Sequence, residues 1–297
     1  MRQNKGAGYR VFQGFNILLM TAICLMVLFP IYYMVIVSIS DGTAVMTGQV
    51  TLTPVGFSLR SYRAAMKNSY FLNSYWNTIV ITVSGTLVNL FMTTLFAYPL
   101  SRPDFMGRKF LMRCAVFTMF FTGGMIPTYM LVTDLGLGNT YWALILPGAI
   151  SVYNMIIMRT FFEGIPADLT EAAYIDGAND VRILVSVILP LSKPILWTMV
   201  LFYAVGHWNG FFNALLYLSD KSQYPIQMFV RNVVLGGDTL SMAMTTYNSS
   251  TEVGAEMLSE EAAKYAIIIM SMLPILVVFP IVSRHFKSGV MIGAIKG

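Results

Sequence analysis

The apolar segments of this sequence contain few side chains that could do chemistry. His207 is the only histidine inside one of them. The other candidates are uncharged groups that could offer a ligand hydrogen bonds or an aromatic face: Asn89, Asn154, Tyr203, Trp208, Asn209 and Asn213. In an apolar environment such groups either bind a ligand or hydrogen-bond to a neighbouring helix. Both interpretations stay open at this stage.

Catalytic motifs are missing from the sequence. It has no GxxxxGK[ST] phosphate loop, no HExxH and no GxSxG. Its two cysteines, Cys24 and Cys114, lie in apolar runs and are predicted to be small core residues rather than a disulfide or a metal site. We therefore predict that the chain has no catalytic residues and binds neither a metal nor a cofactor.

The composition argues against a soluble protein. Of the 297 residues, 56% are apolar and 11% are charged, and the mean hydropathy is +0.66. Ordinary soluble domains carry about 25% charged residues. So few charges cannot cover the surface of a folded chain of this size in water, and the same numbers exclude disorder. The composition indicates an all-α protein that crosses a membrane.

Six segments are long enough to cross a bilayer, since a hydrocarbon core about 30 Å thick needs roughly 20 helical residues. The predicted spans are residues 13–39, 76–100, 112–133, 141–162, 195–218 and 265–283. The spans after the first lie in a predicted core at 73–283. The remaining segments are an N-terminus at 1–12, an outer segment at 40–72, an inner loop at 163–194, an outer loop at 219–264 and a tail at 284–297.

The placement of the basic residues predicts the orientation. With residues 1–12 in the cytoplasm, the inner segments hold 13 of the 19 Lys and Arg residues and the outer segments hold 6. Basic residues concentrate on the cytoplasmic side of membrane proteins, so both termini are predicted to be cytoplasmic. The net charge of +5 reflects this bias and not a nucleic-acid site.

Glycine and proline interrupt three of the predicted spans. Gly123, Gly124 and Pro127 lie in the third, Pro147 and Gly148 in the fourth, and Pro274 and Pro280 in the last. Proline removes a backbone donor, so a kink is expected at each of these places. In a membrane the freed carbonyl groups must find partners in neighbouring helices or in a wet cavity. Two interpretations stay open: the kinks serve only the packing of the helices, or the kinked helices surround a polar passage.

The inner loop at 163–194 has a distinct pattern. Pro166 suits a first helical turn, and Asp168 with Glu171 has the spacing of a capping box. A helix over about 167–176 is predicted to end at Gly177 in a tight or left-handed conformation. Asn179 and Asp180 then predict the start of a second helix, which runs toward Ile188 and is disturbed by Pro190.

This loop resembles the EAA loop of ABC importer permeases. The matching residues are Glu171, Ala172, Ala173, Gly177, Ile188, Leu189 and Pro190. Two other segments resemble the sugar-type permeases, Trp208-Asn209-x-Phe211 and the terminus from Phe286 through Gly289 to Gly293–Gly297. The chain is therefore identified as similar to the MalG-like subunit of oligosaccharide importers, over nearly its whole length.

The resemblance implies a type I ABC importer permease fold of six transmembrane helices in the bacterial cytoplasmic membrane. It implies that a second permease subunit, two ABC ATPase subunits that bind ATP and Mg²⁺, and an extracytoplasmic sugar-binding protein are the partners. The residues implied to meet the ATPase are Glu171, Ala172, Ala173, Asp176, Gly177, Leu189 and Pro190, with Gly293, Lys296 and Gly297 of the tail. Those implied to reach the binding protein are Gly236, Asp238, Thr245, Tyr247 and Asn248.

The resemblance also implies that the polar residues named at the outset lie along the sugar path, although the second permease subunit could hold most of the sugar.

Three other functions stay open from the residues alone. An autonomous carrier or channel is disfavoured because the spans lack buried acids. An intramembrane enzyme has no visible nucleophile or metal site. A permease for peptides or inorganic anions would share the same loop.

Overall fold

The computed structural model describes residues 7–236 and 259–283. The described residues form helices and connecting loops, with no strand among them. The longer helices are α1 (Ala7–Ser38), α4 (Ser69–Ser101), α5 (Arg108–Phe120), α6 (Met125–Asp134), α8 (Val152–Glu163), α9 (Ala167–Ile175), α12 (Lys193–Asn209), α14 (Ile226–Val234) and α15 (Glu260–Ser283). The shorter ones are α2 (Gly42–Met46), α3 (Arg60–Lys67), α7 (Trp142–Ile145), α10 (Asp180–Ile183), α11 (Leu189–Leu191) and α13 (Phe212–Tyr217). The described residues divide into two compact units, one with residues 7–68, 232–236 and 259–271 and the other with residues 69–231 and 272–283.

Three helices are each long and apolar enough to cross a membrane. They contain Val11–Ser38, Ser69–Ser101 and Glu260–Ile281. Three bent helix pairs in the described part of the chain pass the same test, which allows up to six crossings. The all-α membrane fold predicted from the sequence is therefore confirmed.

The first unit is built around the end of α1. Ile36 and Val37 are buried against Val45 of α2 and Ala262 of α15. Below this core, the Ser40 hydroxyl donates to the Ile36 carbonyl at 2.8 Å and accepts the Val55 amide at 3.2 Å. Most of the apolar side chains along the rest of α1 are exposed, as expected of a helix that faces lipid.

The second unit is built around α4, which packs against α8 and α12. Buried side chains of these helices and of the loop that follows α8 form one core, including Leu100, Met155, Met158, Ile183 and Met199. α4 ends where Arg102 precedes Pro103, since the residue before a proline is driven out of the helical conformation.

Two of the predicted spans are broken helices. The third is α5 followed by α6, and the two axes differ by 114°. The break lies at Gly124, whose φ of 89° is open mainly to glycine, while Pro127 lies inside α6. The fourth is α7 with a 3₁₀ turn at Leu146–Gly148, bent by 54° from α8. The predicted kinks at these glycine and proline positions therefore occur as breaks.

Pro274 and Pro280 lie inside α15, which begins at Glu260 and continues past both of them, so the helix is not interrupted there and the kinks expected at these two prolines stay a prediction. One expectation about the spans is wrong. The fifth predicted span is not one helix. It divides at Gly210, which leaves the helical conformation with ψ at 118°, so that α12 ends and α13 begins.

Gly85 allows α4 and α12 to approach closely. A Cβ atom at this position would lie 2.5 Å from Nε2 of His207, which is far inside van der Waals contact. Gly206, one residue before His207 in α12, has open space where its Cβ would lie. The two glycines therefore differ in packing and not in helical context.

We predict that Gly85→Ala destabilises the chain by about 1–3 kcal/mol, the usual cost of overpacking a core. The matched variant Gly206→Ala should leave stability unchanged or raise it, because alanine is the better helix former. Thermal unfolding in detergent, followed by circular dichroism, measures both. An equal effect of the two variants would contradict the close approach of α4 to α12.

Candidate functional site

The loop after α8 begins with α9, which ends in a glycine-terminated motif. Gly177 has a φ of 79°. The amide of Ala178 donates to the Ala173 carbonyl at 2.9 Å, and the amide of Gly177 donates to the Tyr174 carbonyl at 3.0 Å. These two bonds define a Schellman motif, in which glycine is favoured because its position is left-handed. The predicted role of Gly177 as the end of the helix is confirmed.

A second turn is held against α9 by side chains. The Tyr174 hydroxyl donates to the Asp180 carboxylate, and Asn179 caps α10 by accepting the Arg182 amide at 2.9 Å. The hydrogen bond to Asp180, with some burial, raises the pKa of Tyr174 to about 12. The phenol therefore stays a donor at any physiological pH, and α9 and α10 form one rigid corner.

The capping box predicted at the start of α9 is wrong. α9 begins at Ala167 with Pro166 as the N-cap residue, so Asp168 lies in the first turn. A capping side chain must lie on the non-helical residue that precedes the helix, and Asp168 is already helical. Its carboxylate still has a favourable position near the positive end of the helix dipole.

α9 presents one exposed face. Glu171 and Ala172 are exposed, and Ile175 is 87% exposed. Ala173 lies on the opposite side and packs against the core of the second unit. Asp176 is also exposed, at the end of the helix. α9 therefore offers an acid, a small residue and an apolar residue together to a surface outside this chain.

The second half of the loop is anchored. Ile183, Leu184 and Ile188 are buried in the same core as Met158 and Met199. Leu189 is partly buried against that core, and Pro190 is exposed. Residues Leu184–Ile188 form a π turn, in which the Leu189 amide donates to the Leu184 carbonyl. The wider turn accommodates Pro190, which cannot donate a backbone hydrogen bond.

A cavity of about 230 Å³, lined by both apolar and polar side chains, lies between α4, α12 and the broken fourth segment. Asn89 is central to it and is 1% exposed. Its amide nitrogen donates to the carbonyls of Gly148 and Ala149, at 2.6 and 3.1 Å. Its amide oxygen accepts from Nε2 of His207 at 2.7 Å, which places the proton of the ring on Nε2.

Four of the seven predicted path residues line this cavity: Asn89, Tyr203, His207 and Asn213. The Tyr203 hydroxyl also bonds to Thr93 at 2.6 Å. Trp208 lies elsewhere and packs edge-on against Tyr75, with ring centroids 5.7 Å apart. Asn154 is buried in α8, and Asn209 is exposed; neither lines the cavity.

Asn209 and Asn213 do not share a helix face, although a spacing of four residues would place them together on a continuous helix. The helix divides between them at Gly210, so the four-residue spacing no longer places them together. Asn209 bonds back to the Val205 carbonyl at 3.0 Å, whereas Asn213 lines the cavity.

Asn77 was not predicted as a site residue, although it joins α4 to the segment after α13. Its amide nitrogen donates to the carbonyls of Ser222 and Tyr224, at 2.7 and 3.2 Å, and its oxygen accepts from the Tyr141 hydroxyl at 2.8 Å. Next to it, the Thr78 hydroxyl accepts the Ile226 amide at 2.6 Å. A signal was present, since Asn77 and Thr78 are adjacent polar residues at the start of an apolar run.

The same segment has a second attachment at Asn139. This residue has a φ of 56°, and its side-chain oxygen accepts the amides of Ser219 and Asp220, each at 3.1 Å. The hydrogen bonds that Ser222 donates lower the pKa of Asp220. Residues 217–226 are thus fastened to α4 and to the loop before α7.

Several predicted contact residues lie outside the described residues. They are Asp238, Thr245, Tyr247 and Asn248 of the outer loop and Gly293, Lys296 and Gly297 of the tail. Gly236 is described and is left-handed, with a φ of 74°. Among the described residues, no group of three His, Cys, Asp or Glu side chains could hold a metal ion.

Comparison with known proteins decides the family. Residues 2–292 match the family model described as binding-protein-dependent transport system inner membrane component. The chain belongs to this family. It is 41% identical to protein LplC of Bacillus subtilis over 99% of this chain and 97% of that protein. It is 40% identical to the polygalacturonan/rhamnogalacturonan transport system permease protein YtcP of the same organism, over 95% of this chain and 96% of that one.

A solved structure is also similar to this permease. It is the crystal structure of a bacterial ABC transporter involved in the import of the acidic polysaccharide alginate. The matching chain is 35% identical, and the alignment covers 95% of this permease and 98% of that chain with a TM-score of 0.87. The six-helix importer fold predicted from the loop and terminal motifs is therefore confirmed.

We predict that Gly177→Ala loosens the corner between α9 and α10. A Cβ at a left-handed position costs about 1–2 kcal/mol, so the amide of Ala178 should exchange with solvent about tenfold faster. Gly138→Ala is the matched control, because Gly138 is a loop glycine with open space and no positive φ. Hydrogen exchange with mass spectrometry measures both, and unchanged exchange at Ala178 would contradict the assigned motif.

Proposed function

We propose that this chain is a membrane-spanning permease subunit of an ATP-driven, binding-protein-dependent importer, and that its cargo is an oligosaccharide. The family match over residues 2–292 carries the proposal. The chain itself has no catalytic part in this function, and ATP with Mg²⁺ is bound and hydrolysed by partner ATPase subunits.

The names of similar proteins support a carbohydrate cargo. Besides the polygalacturonan/rhamnogalacturonan permease protein, a 27% identical relative from Halalkalibacterium halodurans is an arabinooligosaccharides transport system permease protein. Asn213 lines the cavity together with Asn89, Tyr203 and His207, whose hydrogen bonds are made within the chain, and no carboxylate is among the described lining residues. A lining of this kind suits the hydroxyls of a sugar, and it does not repel an acidic one.

The geometry of the loop after α8 supports a coupling role. The exposed face of Glu171, Ala172 and Ile175 is available to an ATPase subunit, while Ile183 and Ile188 anchor the loop among the membrane helices. Because α9 and α10 form one rigid corner, a push on α9 is transmitted to α4, α8 and α12 as a rigid-body movement. Three residues determine the shape of this loop: Gly177 ends α9, and Leu189 and Pro190 form part of α11.

The remaining partners are part of the same proposal. A second permease subunit completes the passage, and two ATPase subunits meet α9 from the cytoplasm. An extracytoplasmic binding protein delivers the sugar to the outer segments, including Gly236 and the loop beyond it. This arrangement requires both termini to be cytoplasmic, in agreement with the distribution of Lys and Arg in the sequence.

The proposal is tested by reconstituting the full importer into vesicles and measuring uptake of a labelled oligogalacturonide. We expect Glu171→Gln to lower ATP-driven uptake about tenfold or more, as does the loss of one partner of an interfacial charge pair. Glu260→Gln is the matched control, since Glu260 is an exposed glutamate in the first turn of α15. Its uptake should equal that of the wild type.

Two results would contradict the proposal at different levels. Normal uptake by Glu171→Gln would remove the coupling role of α9 and leave the importer assignment intact. Uptake by the chain alone, without ATPase subunits or ATP, would replace the importer by an autonomous carrier.

A further inference from the structure

A basic cavity of about 280 Å³ lies at the opposite end of α4 from Asn77. It is formed where α4 and α8 end and where α5 and α9 begin. Arg102, Arg108, Glu163 and Ala167 are among the residues that line it. Nothing in the coupling mechanism proposed above uses this cavity.

The charges around the cavity do not balance. Arg108 and Arg159 both pair with one oxygen of Glu163, Arg159 at 2.6 Å, and Nε of Arg159 donates to the Leu100 carbonyl at 2.9 Å. One carboxylate therefore faces two guanidinium groups before Arg102 is counted. The cluster retains a surplus of about two positive charges.

Arg102 is held in place but is not neutralised by a direct ion pair among the described residues. Its Nη2 donates to the Tyr98 hydroxyl at 2.9 Å, and its guanidinium lies 4.9 Å from the centre of the Tyr98 ring. Its Nε is buried and has no hydrogen-bond partner in the described part of the chain. A buried donor without a partner is costly, and because the Arg102 guanidinium lines the cavity, an anionic ligand there would balance its charge.

Two helix N-termini point to the same ligand chemistry. α5 starts at Arg108 after the left-handed Gly107, and α9 starts at Ala167 after Pro166. Neither of these two starts has a side-chain cap. Helix N-termini favour anions through their free amides and dipole, although the exposed Asp168 meets part of this need in α9.

Exposed apolar side chains lie beside the cavity. Met106 is 94% exposed, Phe110 is 68% exposed, and Phe105 is partly exposed. All three lie between the predicted second and third spans, close to their ends, where we expect the lipid headgroups to be. Basic pockets between membrane helices bind lipid phosphates, and apolar side chains next to such a pocket suit the acyl chains.

We propose that this cavity binds the phosphate of an anionic phospholipid headgroup. Arg102 and Arg108 contact the phosphate oxygens, and the starts of α5 and α9 add their dipoles. Bound lipid then joins the ends of four helices next to α9. This proposal does not depend on the identity of the transported cargo.

The test uses the full chain purified in a neutral detergent and supplied with phosphatidylglycerol or phosphatidylcholine in mixed micelles. Native mass spectrometry counts retained lipid, and thermal unfolding reports stabilisation. We expect the wild type to retain phosphatidylglycerol selectively, and Arg102→Gln to weaken this retention about tenfold or more, as expected when a direct hydrogen bond to a charged group is lost. Lys109→Gln is the matched control, because Lys109 is exposed beside Arg108 and does not line the cavity.

The outcomes separate the sources of phosphate. Equal retention of the two lipids by the wild type would overturn the proposal, even if Arg102→Gln failed to fold. Equal losses in Arg102→Gln and Lys109→Gln would overturn it in favour of general surface charge. If inorganic phosphate alone raised the unfolding temperature of the chain as much as phosphatidylglycerol does, the ligand would be free phosphate and not a lipid headgroup. Unchanged retention of phosphatidylglycerol by a folded Arg102→Gln variant would also overturn the proposal.

Discussion

A backbone carbonyl that leaves a helix inside a membrane must find another donor, and this requirement determines the centre of the permease. The fourth apolar segment breaks around Pro147, and the carbonyls of Gly148 and Ala149 are both met by the amide of Asn89. An unmet carbonyl at that depth would cost several kcal/mol. Because the oxygen of the same amide accepts from His207, one buried side chain joins α4, the broken segment and α12. One buried side chain therefore links the three elements that border the cavity.

The two ends of the second unit are attached in different ways. At one end, Asn77 and Thr78 fasten the segment before α14 through neutral hydrogen bonds to backbone groups. At the other end, Arg159 bonds to the last turn of α4 and shares Glu163 with Arg108. The bilayer favours charged contacts near its surfaces, because a charged side chain costs much more free energy in the hydrocarbon core. The ends of α4, α5 and α8 are therefore joined to one another beside α9.

The sequence was most informative where a local rule determines the structure. Gly177 could be predicted as a helix end because only glycine tolerates that backbone conformation at low cost. Asn179 could be predicted as a cap for a similar reason. The division at Gly210 was missed because its φ and ψ are open to any residue, and the close approach at Gly85 depends on a partner more than a hundred residues away. Pro274 and Pro280 show the limit of such a local rule, since α15 continues through both prolines whereas the third and fourth segments break near theirs.

The most direct test of the account is a double-mutant cycle on Asn89 and His207, with stability measured by equilibrium unfolding in lipid–detergent micelles. Asn89→Leu leaves two carbonyls without a donor, and we expect it to destabilise the permease by about 2 kcal/mol or more. His207→Leu alone should cost less, and the two losses should not add, because the bond between the side chains is already lost in either variant. Strictly additive losses, or wild-type stability in Asn89→Leu, would show that the broken segment is held by something other than this amide.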